Sequence, residues 1–204
     1  ASAEFSEYLR GLSRERRRAP RDDLISKLTQ VVDEGQTLTE DELVGTCVLI
    51  LNAGHEATVN STLIGWWTLF RHPEALAALR GTPELAVTAI DELLRFDTPL
   101  PMFERWVLSD IEVAGTTIPR GQEVALLYAS ANRDHAAFVD ADALDLRRRS
   151  KAHLAFGAGI HYCLGAPLAR LELQTAFAAV LRRMPGLELV EEPAWKPTFI
   201  LRGL

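Results

Sequence analysis

Residues 156–165 spell FGAGIHYCLG, which places Cys163 between glycines and directly ahead of a long segment with helical periodicity. That periodicity predicts a helix of about 20 residues that ends near Met184, with Pro167 in its first turn. The N-terminus of a helix offers unpaired N–H groups and a partial positive charge, and both stabilise a thiolate. Glycines let the backbone take left-handed turns and approach a flat ligand closely. The stretch therefore indicates a soft anionic metal ligand or a cysteine nucleophile, against the commoner outcome of a free thiol near a helix start.

Two other motifs can be tested on the same stretch. Gly157-x-Gly159 lacks the third glycine of a dinucleotide-binding fingerprint, because position 162 is a tyrosine and no strand leads into the loop. A catalytic Cys–His pair with His161 stays open, although two residues of separation on a loop do not fix the two side chains relative to each other.

The composition is that of an ordinary globular protein of 204 residues, with 48% apolar and 25% charged residues. The formal net charge of −6, without an obvious basic face, predicts that nucleic acid is not a partner. Cys47 and Cys163 are too far apart in sequence for a disulfide framework or a paired metal-ligand motif. This cysteine usage predicts a reducing, cytoplasmic setting.

No membrane span is expected. The most apolar stretch, residues 43–70, is divided by His55 and Glu56 into two runs that are each too short to cross a bilayer. Residues 1–18 are charged and helical in pattern, so they do not resemble a secretory signal. This first helix starts in mid-pattern, without an evident cap, and we expect the chain to be a piece of a longer protein.

Helical periodicity dominates the chain and predicts a mainly α fold with small β-sheets. The Thr39-x-x-Glu42 spacing predicts a capping box that opens one long helix, residues 39–70. Gly35 is expected to end the helix before it, and Pro73 to separate the long helix from the next. The other expected elements are helices at about 4–18, 22–32, 73–79 and 83–96, β-structure at 106–118 and 123–127, and an irregular stretch at 132–151.

The long helix carries an unusual run, AGHEAT, at residues 53–58. Glycine in a helix interior costs roughly 1 kcal/mol against alanine, so the run needs a reason. Its small residues share one helical face, which leaves room either for a flat or diatomic ligand or for a closely packed helix. Its glutamate is accordingly either an acid at a site or a surface charge. A zinc-protease helix is excluded, because Val59 stands where the second histidine belongs.

Glu92 and Arg95 are three residues apart on a predicted helix, so their side chains can pair. Most Glu-x-x-Arg pairs are solvated surface pairs. This pair is informative only because it lies between the AGHEAT run and Cys163 in the sequence.

Taken together, these segments resemble the cytochrome P450 family. Phe-x-x-Gly-x-x-x-Cys-x-Gly, continued by Ala-Pro-Leu-Ala-Arg at 166–170, resembles the family's cysteine-ligand loop. The AGHEAT run resembles its distal helix, and Glu92-x-x-Arg95 its buried structural pair. The resemblance extends from Glu4 to Leu204 and corresponds to about the C-terminal half of a family member. It therefore predicts a single partial domain over residues 1–204.

The resemblance implies a haem-thiolate monooxygenase of the soluble bacterial type, which inserts one oxygen atom from O2 into a hydrophobic organic substrate. The implied cofactor is haem b, with Cys163 as the ligand to iron, and Arg105 and His161 as the partners of the two propionates. The implied cofactor-binding residues are Ala53, Gly54, Arg105, Phe156, Gly159, His161, Cys163 and Gly165. The implied substrate-facing residues are Leu100, Pro101, Met102, Phe199 and Ile200.

The sequence departs from the family pattern where oxygen is activated. Glu56 occupies the position of the acid that helps deliver protons, but Ala57 stands where the family has threonine. Thr58 lies one residue late and about 100° around the helix, so it does not simply replace that hydroxyl. Ser61 is one turn beyond Ala57 and can place a hydroxyl on that face. We expect either that substrate or water supplies the missing hydroxyl, or that oxygen activation is weak and poorly coupled.

A second departure concerns the buried pair, whose usual arginine partner falls near Ala143 here. Arg147 or Arg148 is expected to take its place. The basic run Arg147–Arg149, with Lys151, is interpreted either as a solvated face or as a docking patch for an acidic, ferredoxin-type electron donor.

A rival hypothesis comes from another class of protein. The chain is then a non-catalytic, truncated helical module that binds haem weakly or not at all. It self-associates through the apolar face left by the missing half.

Overall fold

The computed structural model describes residues 2–33, 35–149, 152–198 and 200–204. The described chain is mainly helical with small two-stranded antiparallel sheets, so the predicted fold class is confirmed. The chain divides into two compact units, Ala1–Glu56 and Ala57–Leu204. A single partial domain over residues 1–204 stays a prediction.

Two helices and a small hairpin precede the long helix in the first unit. Helix α1 spans Ser2–Arg18 and α2 spans Leu24–Gln30, so the helix expected at 22–32 is shorter than predicted. Strands β1 (Val32–Asp33) and β2 (Gln36–Thr37) pair across a turn that contains Gly35 at φ +81°. The sequence missed this hairpin because strands of two residues are too short to show an alternating pattern.

Helix α3 spans Glu40–Arg71, one residue from the expected bounds at each end. The predicted capping box is present, since Glu42 N donates to Thr39 Oγ1 at 3.2 Å and Thr39 N donates to Glu42 Oε2 at 2.8 Å. These bonds satisfy N–H groups that the start of a helix leaves free. Despite the length of α3, no helix in the described ranges is both long and apolar enough to cross a membrane.

Within its described residues, the second unit adds four α-helices, which are α4 (Pro73–Gly81), α5 (Ala86–Phe96), α6 (Tyr128–Ala131) and α7 (Ala166–Arg183). A 3-10 turn, Pro83–Leu85, leads into α5, so the α-helix predicted from residue 83 begins three residues later. Helix α7 has the predicted proline in its first turn and ends directly before Met184.

The β-structure predicted at 106–118 belongs to two different sheets. The strands of the second unit are β3 (Phe103–Trp106), β4 (Ile111–Val113), β5 (Thr116–Ile118) and β6 (Glu123–Leu126). Strand β3 pairs antiparallel with β6, while β4 and β5 form a hairpin. Ala114 and Gly115 both have positive φ in that hairpin turn, which is the backbone that tight two-residue turns favour.

The core of the second unit brings α7 unusually close to α3. A Cβ atom at Gly65 would lie 2.8 Å from Phe177 Cζ, so only glycine permits this approach. Trp66 stacks on the same Phe177 ring, with centroids 4.7 Å apart. The buried apolar residues around them are Leu69, Ala75, Leu76, Leu79, Ala86, Ala89, Ile90, Leu93, Leu94, Leu146 and Leu173. This core fixes α5 and α7, and α7 begins directly after the cysteine loop.

Candidate functional site

The loop that carries Cys163 is a tight, hydrogen-bonded turn. Gly157 and Gly159 have φ of +69° and +67°, a backbone that side chains other than glycine rarely adopt. Cys163 N donates to Phe156 O at 2.9 Å, which closes the loop, and Cys163 O accepts from Ala166 N at 3.2 Å at the start of α7. The predicted arrangement of glycines, cysteine and helix start is therefore present. Gly165, by contrast, has an ordinary φ of −81°.

The side chains around Cys163 leave an open apolar surface. Cys163 itself is half-buried, whereas Leu164 is 93% exposed and Ile160 is 98% exposed. A Cβ atom at Gly165 would lie 3.8 Å from Cys163 Sγ, an ordinary van der Waals distance, so Gly165 lies directly beside the sulfur. A cysteine sulfur beside exposed apolar side chains suits a broad, flat, apolar ligand that carries a metal ion. Within the described ranges, no cluster of three or more His, Cys, Asp or Glu side chains could hold a metal ion by itself.

His161 does not form a catalytic pair with the cysteine. It is exposed at the end of the 3-10 turn Gly159–His161, and no hydrogen bond joins its side chain to Cys163 in the part of the chain that the structure describes. Cys47 is half-buried in α3, and burial raises the pKa of its thiol. Cys163 is therefore the better candidate for chemistry of the two cysteines.

Arg105 lies on β3, half-buried, opposite Val124 of β6. Its Nη1 donates to Glu104 O at 2.7 Å, and its guanidinium lies 5.3 Å from the centre of the Phe103 ring. Among the described residues it has no carboxylate partner. Such a guanidinium has donors left for an anionic ligand.

Glu92 and Arg95 form a fully buried ion pair on α5. Arg95 Nε and Nη2 both donate to the Glu92 carboxylate at 2.8 Å, and each side chain is 1% exposed. The remaining Arg95 donors reach the backbone carbonyl oxygens of Asn132, Ala141 and Ala143. All five N–H groups of Arg95 are therefore used, and the pair holds the irregular stretch after α6 against α5.

Arg148 is the third member of this cluster. Its Nε lies 3.1 Å from Glu92 Oε2, and its Nη1 donates to Val139 O at 2.7 Å. Arg147 is exposed instead. Of the two arginines that the sequence left open, the structure brings Arg148 to Glu92, while Ala143 contributes only its carbonyl oxygen.

This geometry leaves fewer exposed basic side chains in the proposed docking patch. Arg148 is engaged in the interior, so Arg147 and Arg149 are the exposed members that the structure describes. Lys151 lies outside the described residues.

The AGHEAT run of α3 falls at the boundary between the two units. Ala53, Gly54 and Glu56 are exposed in the first unit, and a Cβ atom at Gly54 would meet nothing within 4 Å. Ala57 and Thr58 are half-buried in the second unit. Ser61 Oγ donates to Ala57 O at 2.7 Å, so its proton is committed to the helix backbone. Ser61 thus keeps acceptor capacity but has no free hydroxyl proton in this arrangement.

Residues from two distant segments line one open pocket of about 270 Å³. Met102 and Ile200 both line it, and the other lining residues are Phe103, Glu104, Trp106 and Glu123. Arg202 N donates to Pro99 O at 2.8 Å, which ties the C-terminal segment to the loop before β3. Leu100 and Pro101 are half-buried in that loop. Phe199 lies outside the described residues.

A sequence profile identifies the family of this chain. The profile of the family Cytochrome P450 matches residues 84–190, which include α5, Arg105 and the cysteine loop. The chain belongs to the cytochrome P450 family.

Individual relatives cover this P450 chain almost completely. It is similar to the cytochrome P450 monooxygenase PikC of Streptomyces venezuelae, with 42% identity over 100% of this chain and 50% of PikC. It is 44% identical to the nocardicin C N-oxygenase of Nocardia uniformis subsp. tsuyamanensis, over 100% of this chain and 52% of that protein. The solved structure of PksS from Bacillus subtilis 168 superposes with a TM-score of 0.95 at 41% identity, covering 99% of this chain and 53% of that one. The chain spans about half the length of the curated relatives it matches.

The P450 family implies a haem cofactor, and the residues present fit one. Cys163 supplies a half-buried sulfur, Leu164 supplies an uncovered apolar surface, and Arg105 supplies cationic donors that no carboxylate takes up among the described residues. The sulfur suits the iron of a haem, the apolar surface suits its macrocycle, and the cationic donors suit its propionates.

The sequence pattern missed one cluster of this P450 chain. Asp91, His153 and Arg170 form a second buried polar network directly beside the Glu92 pair. Only Arg170 carried a signal, because it ends the Ala-Pro-Leu-Ala-Arg motif.

Proposed function

We propose that the chain is the haem-carrying, C-terminal part of a monooxygenase that inserts one oxygen atom from O2 into a hydrophobic organic substrate. The observation that carries the proposal is the closed Cys163 loop, with a half-buried sulfur beside exposed apolar side chains. Family membership supports the same chemistry, since the curated relatives include a named monooxygenase and an N-oxygenase.

Haem b is the cofactor that we propose for this chain. Cys163 would ligate its iron, Arg105 and His161 would bind its propionates, and Phe156, Gly159 and Gly165 would shape the loop around the sulfur. Ala53 and Gly54 are proposed as cofactor-binding residues as well, on the resemblance of their run to the family's distal helix and because neither has a bulky side chain. Bound haem supplies the reductive activation of dioxygen, which electron donation from the thiolate favours.

The test is a spectrum of the whole 204-residue chain after incubation with hemin. The chain is reduced, carbon monoxide is added, and the Soret band is recorded. We expect the red-shifted band of a thiolate-ligated haem, and Cys163→Ser is expected to lose it while Cys47→Ser keeps it. If no haem band forms, the rival hypothesis of a non-catalytic module is correct for this chain.

Protons for oxygen activation are proposed to pass through the carboxylate of Glu56. The usual threonine hydroxyl is replaced by Ala57, Thr58 points elsewhere around the helix, and the Ser61 proton is bound to Ala57 O. We therefore propose that substrate or water supplies the missing hydroxyl, or that coupling is poor. Ala57→Thr is expected to lower peroxide release and raise product per oxygen consumed. If neither quantity moves, the proton-relay role of this position is wrong.

The substrate is proposed to be hydrophobic and to meet Leu100, Pro101, Met102, Phe199 and Ile200. The shared pocket of Met102 and Ile200 supports this assignment, because its other walls include two aromatic rings. Ile200→Asp is expected to weaken the binding of apolar compounds measured by calorimetric titration. Val190→Asp is the control, since Val190 is 92% exposed and does not line the pocket.

Electrons are proposed to come from an acidic, ferredoxin-type donor that docks near Arg147 and Arg149. Reversing both charges is expected to weaken the salt dependence of haem reduction, and an unchanged salt dependence rules out the patch.

Self-association is proposed as well, because large apolar side chains such as Leu49, Ile160 and Leu164 are exposed. Sedimentation at several protein concentrations tests it. The cytoplasmic setting stays a prediction from cysteine usage.

A further inference from the structure

The second buried cluster centres on Asp91, the neighbour of Glu92 on α5. Asp91 Oδ1 accepts a hydrogen bond from Arg170 Nε at 2.7 Å and lies 3.1 Å from His153 Nε2. His153 Nδ1 accepts from Ala155 N at 3.3 Å, so the proton toward Asp91 sits on Nε2. The Asp91 and His153 side chains are 7% and 1% exposed. The cluster is therefore built into the interior and does not belong to the Glu92 network.

Burial raises the pKa of Asp91, but the hydrogen bonds from His153 and Arg170 more than offset it. The pKa of Asp91 consequently lies below its ordinary value. A buried charged carboxylate with two fixed donors holds the guanidinium of Arg170 in one orientation.

Arg170 connects this anchor to both ends of the cysteine loop. Its Nη1 donates to the hydroxyl of Tyr162 at 3.1 Å, and its guanidinium carbon lies 4.5 Å from the centre of the Phe156 ring. Phe156 begins the loop and accepts the hydrogen bond from Cys163 N, while Tyr162 immediately precedes Cys163. One guanidinium thus touches the residues that bracket the loop, and Asp91 fixes that guanidinium.

The loop needs such an external support. Gly157 and Gly159 have high conformational freedom, and the side chain of Ile160 between them and the cysteine is almost fully exposed. The Glu92 cluster instead reaches the stretch from Asn132 to Arg148. The two adjacent carboxylates of α5 therefore support different parts of the unit.

We propose that Asp91 is a positioning residue for Cys163 and acts on the loop through Arg170. The inference rests on the proposed ligand role of Cys163 for its functional meaning. Its structural content, a loop held in place by Asp91, is measurable without haem.

The first experiment measures alkylation of Cys163 by iodoacetamide in the chain without haem, with Cys47 as the internal reference. Asp91→Asn keeps the size of the side chain but removes its charge, and we expect Cys163 to react about tenfold faster as the loop opens. Tyr162→Phe removes one hydroxyl, and we expect about a threefold increase. Asp97→Asn is the matched control, because Asp97 also pairs with an arginine, Arg202, away from the loop. Asp97→Asn is expected to leave the ratio of the Cys163 and Cys47 alkylation rates unchanged.

The second experiment records the reduced carbon monoxide spectrum of the same variants after incubation with hemin. We expect Asp91→Asn to lose part of the red-shifted band to an unshifted one, and Asp97→Asn to keep it. If the unaltered chain shows no red-shifted band, the haem proposal fails. The alkylation rates still test whether Asp91 holds the cysteine loop in place. If the unaltered chain shows the band but Asp91→Asn changes neither spectrum nor alkylation, the role of Asp91 is refuted. Should Asp91→Asn fail to fold by circular dichroism, Tyr162→Phe decides, and an unchanged Cys163 rate in that variant overturns the proposal.

Discussion

Two clusters of the molecule share one chemical plan, a glutamate held between two arginines. In the first unit, Glu40 pairs with Arg14 through two hydrogen bonds of 2.8 and 2.9 Å and lies 3.6 Å from Arg10. In the second unit, Glu92 pairs with Arg95 through two bonds of 2.8 Å and lies 3.1 Å from Arg148. The geometry is nearly the same. The difference is solvent, because Glu40 is 30% exposed and Glu92 is 1% exposed.

That difference decides what each cluster can do for the fold. Water can replace either partner of Glu40, so its pairs contribute little to stability and do not fix the chain. Arg95 instead supplies donors to three backbone carbonyl groups as well as to Glu92. Removing one buried member leaves charges and carbonyl groups without partners, which is far more costly than losing an exposed pair. A buried cluster of this kind therefore fixes the backbone of the stretch between α6 and the cysteine loop.

The largest expected effect comes from Glu92→Gln. The amide keeps the size of the side chain but removes the charge opposite Arg95 and Arg148, so we expect a loss of about 3–5 kcal/mol in the free energy of unfolding. Urea denaturation followed by fluorescence measures it. Glu40→Gln is the matched control and is expected to cost a small fraction of that value. Equal losses in the two variants would show that burial does not separate the clusters.

The next effect separates the two arginines that the sequence could not distinguish. Arg148→Met keeps an unbranched side chain but removes the donors to Glu92 and to Val139 O, and we expect a loss of about 1.5–3 kcal/mol. Arg147→Met, at an exposed position, is expected to change stability by no more than about 0.5 kcal/mol. Both are measured by the same urea titration. A reversed order of the two losses contradicts the assignment of Arg148.

The reason the sequence left this choice open is physical. The helix α3 and the pairing of Glu92 with Arg95 depend on neighbours within one turn, so a capping box and an i, i+3 spacing predict them. Whether Arg147 or Arg148 turns inward depends on the irregular backbone between Asp140 and Arg149, which has no period. The choice is made by carbonyl groups that only the folded chain brings together.

The same argument explains what could be predicted of the candidate site. The cysteine loop is a local motif, so its glycines, its cysteine and the start of α7 follow from consecutive residues. Asp91 meets His153 and Arg170 from 62 and 79 residues away, and neither partner lies at a spacing that a helix or strand would produce. Met102 and Ile200 were placed together by resemblance alone, because the pocket joins two segments that local pattern cannot relate.

Two glycines of α3 extend the comparison of buried and exposed positions to a single helix. In Gly65→Ala the added carbon would lie 2.8 Å from Phe177 Cζ, and we expect a loss of about 1–3 kcal/mol from overpacking. In Gly54→Ala the added carbon meets nothing within 4 Å, and we expect a gain of up to about 1 kcal/mol from helix propensity. Thermal unfolding distinguishes the opposite signs. If both variants lose stability, the open space around Gly54 is not available to a side chain.

The smallest effect is expected at Asp23, another partly exposed carboxylate of the first unit, whose side chain is 35% exposed. It accepts a hydrogen bond from Ser26 N at the start of α2 and pairs with Arg16, and these contacts lower its pKa from 3.8 to about 2. Because the folded pKa is depressed, the stabilisation is complete above pH 3.8 and is lost as the pH falls toward 2. Asp23→Asn keeps an N-capping side chain without the charge.

We therefore expect the unfolding free energy of the parent chain to exceed that of Asp23→Asn by a constant amount above pH 3.8, and the gap to close as the pH approaches 2. Urea titrations of both proteins at several acidic pH values measure this gap. Because Asp23 is solvated, added salt should narrow it as well, which it should not do for Glu92→Gln. If this difference in unfolding free energy persists at pH 2, or does not change with added salt, the Asp23 carboxylate behaves like the buried Glu92 and not like the partly exposed Glu40.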